Sequence, residues 1–166
     1  KSHFSIGKSI LKLESATTEA SDGIFNIAEE LKLKNVVLVE DSLTGFLESA
    51  KTSKAYGLDL IFGLRLTACS TLSAEKDCHK VIVFAKNDSG CKQLNKIYSK
   101  AFETEAQAID MNDLADLWQE ENLKLAIPFY DSFIFNNIMS FSTCVPNFSF
   151  TNPTFFIEDN NLPFDS

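Results

Sequence analysis

Val83-Phe84-Ala85-Lys86-Asn87-Asp88-Ser89-Gly90-Cys91-Lys92-Gln93-Leu94-Asn95-Lys96-Ile97-Tyr98-Ser99-Lys100-Ala101 places an apolar strand, a tight polar turn and an amphipathic helix in immediate succession. Val81, Val83 and Ala85 fall on one strand face, while Leu94, Ile97, Tyr98 and Ala101 recur at i, i+3, i+4 and i+7. The same alternation runs upstream. Ser21 or Asp22 is a suitable N-cap for a helix carrying Ile24, Ile27, Ala28 and Leu31 on one face and ending near Lys34-Asn35. The continuous run Val36-Val37-Leu38-Val39 suits a strand buried on both faces. Leu43 to Tyr56 then reads as a helix with Phe46, Leu47, Ala50 and Lys54 at helical spacing, closed by Gly57, and Leu58 to Leu66 as a further strand.

Short connections between alternating helices and strands favour right-handed crossovers and a parallel sheet. The spacing therefore predicts an α/β fold in which strands near Val36, Leu60, Val81 and Leu125 are parallel neighbours, with helices near Ile27, Ala50 and Ile97 outside them. Downstream, Asp110 or Asn112 starts a short acidic helix with Leu114, Leu117 and Trp118, and Leu123 to Phe129 reads as a buried strand. Asp131 to Ser166, rich in Phe, Asn, Ser and Pro, has no clean period and reads as short strands and loops.

The chain has 166 residues, 45% of them apolar and fifteen of them Phe, which is enough for one domain with a real core. A net charge of −8 argues against a surface that tracks nucleic-acid phosphates, which requires clustered Lys and Arg. Cys69, Cys78, Cys91 and Cys144 show no C-x-x-C spacing and follow no apolar signal segment, so reduced thiols in a cytoplasmic protein are expected. No apolar run approaches the roughly 18 residues that cross a bilayer, and no membrane association is expected. Lys1 opens the chain without Met, and Asn161 to Ser166 lack the character of a domain end, which suggests a piece of something longer.

The order A-K-N-x-x-G-x-x-x-L-x-K-I-x-S-x-A from Ala85 to Ala101 resembles a segment of the PHP (polymerase and histidinol phosphatase) domain that opens bacterial and phage DNA polymerase III alpha subunits. Three more stretches match in order: Lys1-Ser2-His3-Phe4-Ser5-Ile6, Leu38-Val39-Glu40-Asp41 and Ile61-Phe62-Gly63-Leu64-Arg65. The resemblance covers residues 1 to about 101 and is weaker beyond, at Leu125 to Phe133 and Phe155 to Asp159. It implies a distorted (β/α)7 barrel with parallel strands inside and helices outside, incomplete in a chain where five strands are countable.

Active members of that family hold divalent metals with His, Asp and Glu, donors that converge to activate water. At the matching positions this sequence has Lys1 for one ligand His, Asp41 for another and Arg65 for a bridging Glu; Glu40, in place of an Asp, keeps ligand chemistry. A guanidinium is permanently protonated and offers no lone pair, so Arg65 would repel a metal. His3 falls at a position the family leaves variable and reads as an ordinary histidine. His79 follows Asp77-Cys78, but adjacent residues at a strand entrance point in different directions. Glu40-Asp41 has the form of an acid/base pair at a strand end, while Asp41 with Ser42 is an equally good helix N-cap. Gly7-Lys8-Ser9 has the end of a phosphate loop without its upstream glycine or strand. No catalytic residue, cofactor or metal ligand is therefore assigned.

The resemblance thus implies a degenerate, metal-free PHP domain, residues 1–166, of a phage-type replicative polymerase whose parent is a DNA-directed DNA polymerase. The domain would brace the remainder of the polymerase polypeptide or dock a proofreading exonuclease, and DNA would be held elsewhere in the parent. Two alternatives stand beside it. One is a working PHP metallophosphoesterase with a rearranged ligand set including Glu40, Asp41 and His79; the other is an unrelated cytoplasmic α/β protein-binding domain.

Overall fold

Helix, strand, helix and strand follow one another through the first part of the chain, as the apolar spacing requires. The computed structural model describes residues 24–70, 78–103, 105 and 107–157. By internal contacts the chain divides into two compact units, Lys1–Leu64 and Arg65–Ser166.

The first unit contains α1 (Ile24–Glu30), β1 (Asn35–Glu40), α2 (Phe46–Ala55) and the leading half of β2 (Asp59–Cys69). β1 and β2 are parallel, with Asn35 opposite Asp59 and Glu40 opposite Leu64. The crossover between them passes through α2, which ends at Tyr56 and turns on Gly57 at φ +66°, a conformation glycine adopts without strain. The Leu58 amide then donates to the Ser53 carbonyl at 2.8 Å.

Three faces differ from the sequence expectation. α1 buries Phe25 and Ala28 and leaves Ile27 and Leu31 exposed, because Phe25 is the larger side chain and lies 6.1 Å from the tilted ring of Tyr56, whose hydroxyl donates to Asn26 at 2.7 Å. β1 is buried on one face only: Val36, Leu38 and Glu40 are buried, whereas Val37 is 52% exposed. α2 turns Ser49, Thr52 and Ser53 inward and Leu47 outward. Polar side chains can face inward here because two of these hydroxyls bond their own helix, Ser49 donating to the Gly45 carbonyl at 2.6 Å and Ser53 to that of Ala50 at 3.1 Å.

The second unit holds the rest of β2, then β3 (Cys78–Ala85), α3 (Asp88–Phe102), β4 (Ala108–Asp110), α4 (Met111–Asp116), β5 (Leu123–Pro128), α5 (Phe133–Ser140) and β6 (Thr154–Phe156). β4 runs parallel to the end of β2, Thr67 to Cys69 lying opposite Ala108 to Asp110. β3 pairs with β5 antiparallel, Ile82 opposite Ala126 and Ala85 opposite Leu123, and β6 adds to β5 in parallel. β2 and β3 are hydrogen-bonded neighbours. They also run antiparallel, since Cys69 meets Cys78 while Thr67, two residues back, accepts a bond from Lys80, two residues on.

The expected row of parallel strands therefore holds for β1 with β2 and fails at β3, which runs antiparallel to both β2 and β5, so the structure is a mixed α/β sheet. The cause is connection length. Residues 70–77 are too few for the crossover of a dozen or more residues that parallel neighbours need. The expectation of reduced thiols is corrected as well: Cys69 and Cys78 form a disulfide, and Cys91 and Cys144 are free. Spacing concealed the pair because an antiparallel register, not a C-x-x-C turn, brings the two sulfurs together.

α3 behaves as its period requires, burying Leu94, Ile97 and Ala101 and packing on β3 and β4. Asp110 caps α4 by accepting from the Asn112 amide at 2.8 Å. α5 is a helix where the sequence reading expected loops, and its N-cap is Ser132, accepting from the Ile134 amide at 3.2 Å. Beyond it the chain is fastened by Glu120, whose carboxylate accepts from the Thr151 hydroxyl at 2.6 Å and the Trp118 indole at 2.7 Å, while Trp118 meets Phe150 edge-on.

Candidate functional site

The stretch from Ala85 to Ala101 is the best candidate in the second unit, since it supplies polar side chains at the end of β3. Those side chains are engaged in holding the chain together. Asn87 is the N-cap of α3: its Oδ1 accepts from the Gly90 amide at 2.9 Å, and its Nδ2 donates to Asn122 Oδ1 at 2.9 Å. The Lys86 amide donates to the Asn122 carbonyl at 2.8 Å, and the Lys86 ammonium donates to that of Glu120 at 2.5 Å. One turn further on, the Gln93 amide nitrogen donates to the Leu117 carbonyl at 2.5 Å from a buried position. Gly90 lies so close to the turn at Asn122 that a Cβ would overlap its carbonyl oxygen. The polar spacing of the motif thus clamps the first turn of α3 to the turn that precedes β5. Sequence reading missed Asn122, which receives the clamp and lies far along the chain.

In the first unit the candidate is Glu40-Asp41-Ser42 at the C-terminal end of β1. Alternation along the strand puts Glu40 on the same side as Val36 and Leu38, 2% exposed, whereas Asp41 is exposed. The two carboxylates thus face different environments. Nor do Asp41 and Ser42 cap α2. That helix begins later, at Phe46, with Gly45 as N-cap, while the Ser42 hydroxyl accepts from the Thr44 amide at 3.4 Å within the intervening turn.

Arg65 is half-buried on β2. His79 is buried, with its ring edge-on to Phe133 at 5.9 Å. Its neighbour Cys78 is engaged in the disulfide and is withdrawn as a thiolate donor. Lys1, His3 and Gly7-Lys8-Ser9 lie outside the described residues, as does Asp77. Among the described residues no group of three or more His, Cys, Asp or Glu is placed to hold a metal ion. The free Cys91 thiol is pushed above its ordinary pKa, chiefly by burial and secondarily by the negative charge of Asp88, which makes it a poor nucleophile. No helix among those described is long and apolar enough to cross a membrane.

The second unit also presents large apolar side chains to solvent. At the end of α5 and beyond, Ile138, Met139, Phe141 and Val145 are exposed, as are Phe155 of β6 and the following Ile157. Phe141 is 96% exposed and occupies the helix C-cap at φ 52°, a left-handed conformation that disfavours a residue with a Cβ.

No family model matches the sequence, and no curated protein matches it. Among solved structures, the chain is similar to the crystal structure of a candidate metal-dependent phosphoesterase from Bifidobacterium adolescentis, at 17% identity and a TM-score of 0.30. That likeness covers 56% of this chain, which spans 42% of the other.

Proposed function

We propose that the chain is a PHP-like domain that has lost its metal centre and serves as a structural and partner-docking module of a replicative DNA polymerase III-type alpha subunit. The split between Glu40 and Asp41 carries the non-catalytic part of this reading. Of the two acids at family positions, Glu40 is buried and Asp41 exposed, and a cation, Arg65, stands where the resemblance calls for a bridging carboxylate. Four ordered stretches of sequence support the kinship. The antiparallel placement of β3 and β5 departs from a parallel barrel, so the proposal does not extend to the family's complete barrel. The docking role is supported by the exposed apolar side chains of α5 and β6, since sizeable apolar surface commonly marks a partner site.

Purified full-length chain, incubated with zinc, manganese or iron and then dialysed, should carry no stoichiometric metal and hydrolyse no phosphoester above buffer controls. Two or more ions per chain together with metal-dependent hydrolysis would establish the phosphoesterase alternative instead. Partner docking is tested by mixing the chain with the polymerase part of its parent. Binding that weakens at least tenfold in Phe141→Ser supports the role, and no binding at all refutes it.

A further inference from the structure

We propose that the Cys69–Cys78 disulfide is a redox-sensitive latch that governs the order of β4 and the entry to α4. The argument starts from what Cys69 touches. On one side it is bonded to Cys78 of β3; on the other it lies opposite Asp110 of β4, the residue that caps α4. β4 has only three residues, and the whole of its pairing with β2 is with Thr67, Ala68 and Cys69. The last three residues of β2 are therefore the only strand partner of β4 among the described residues, while its buried Ala108 and Ile109 pack towards α3. Those three residues are tied to β3 by the disulfide and by the bond from the Lys80 ammonium to the Thr67 hydroxyl at 2.7 Å.

The fold has little need of a covalent tie at this place. A chain of 166 residues buries an apolar core large enough to fold without cross-links. The disulfide also closes a separation of only nine residues between strands already paired in register. Reduction can consequently loosen the β2–β4 pairing while the β3–β5 ladder keeps its hydrogen bonds.

The two sulfurs are unequal in access. Cys69 is 1% exposed, whereas Cys78 is half-buried. A thiolate from a protein dithiol of the C-x-x-C class would attack Cys78 Sγ and form a mixed disulfide, and Cys69 would leave as a thiolate and take up a proton. The second thiol of the reductant, deprotonated, would then displace Cys78, so that two electrons pass from the dithiol to the pair and the reductant ends as a disulfide. Glutathione disulfide supplies the oxidant for the reverse course.

The test compares hydrogen exchange of the full chain before and after treatment with dithiothreitol without denaturant. Reduction should go to completion under these native conditions, and amides of Ala108 to Asp113 should exchange faster by about tenfold or more, while those of the β3–β5 ladder keep their protection. Cys78→Ser should show the fast pattern with or without reductant. Resistance of the bond until denaturant is added would mark it as a plain staple and overturn the proposal. Equal exchange in the two states would do the same, as would loss of protection throughout the chain on reduction.

Discussion

Gly90 packs directly against the carbonyl of Asn122, so the first turn of α3 and the turn before β5 meet through bare backbone. The contact explains why the position takes no side chain. It lies inside an ordinary helix, where glycine is otherwise unfavourable relative to alanine by about 1 kcal/mol.

Gly90→Ala should therefore destabilise the protein despite the better helix propensity of alanine. A methyl group would strike backbone rather than a yielding side-chain tip, and overpacking of this kind costs about 1–3 kcal/mol. Urea unfolding of the variant should show a lowered midpoint with an unchanged slope. An unchanged or raised midpoint would mean that the turn at Asn122 moves aside freely.

Asn87→Ala removes the cap of α3 and the bridge to Asn122 together. A loss of about 1–2 kcal/mol is expected from the cap alone. In a double-mutant cycle with Asn122→Ala, the two losses should fall short of additivity, because the variants share one hydrogen bond. Strict additivity would show that the bridge contributes nothing in solution.

Glu120 is held below its usual carboxylate pKa of 4.5, first by the Thr151 hydroxyl, then by the Trp118 indole, with Lys86 and Lys124 adding to the effect. A carboxylate whose pKa falls on folding contributes stability that is complete above the unfolded value and disappears as pH drops through the folded one. The difference in urea midpoint between the parent and Glu120→Gln should accordingly be constant from neutrality down to about pH 4.5 and shrink below it. A difference that grows on acidification would contradict the assignment.

Alkylation should discriminate the two free thiols. Cys144 is exposed, whereas Cys91 is half-buried and its pKa is raised by burial and by Asp88. Mass mapping after brief iodoacetamide treatment at neutral pH should place the first adduct on Cys144. Faster labelling of Cys91 would show that the start of α3 opens in solution.

What the sequence disclosed followed from periodicity. The stripe of Leu94, Ile97 and Ala101 and the cap at Asp110 were readable, whereas the continuous apolar run Val36 to Val39 hid that only the side of Val36, Leu38 and Glu40 is buried. Strand direction was not, because an alternating pattern is identical in either sense; the shortness of residues 70–77 was the available signal for a hairpin. β4 is too short to carry a period. The inner face of α2 was concealed by Ser49, Thr52 and Ser53, of which the two serines bond their own helix backbone. The role of Asn87 and Gly90 emerged only when Asn122, distant in sequence, stood beside them.

The boundary between the two units falls between Leu64 and Arg65, within the unbroken strand β2. Its first half serves β1 and its last residues serve β4. A gene cut at that point would leave β1 with a partner ending in a raw terminus, and β4 with a stub that nothing upstream holds straight. A shortened version of this protein that keeps β2 whole therefore has to begin or end somewhere other than at its own internal seam.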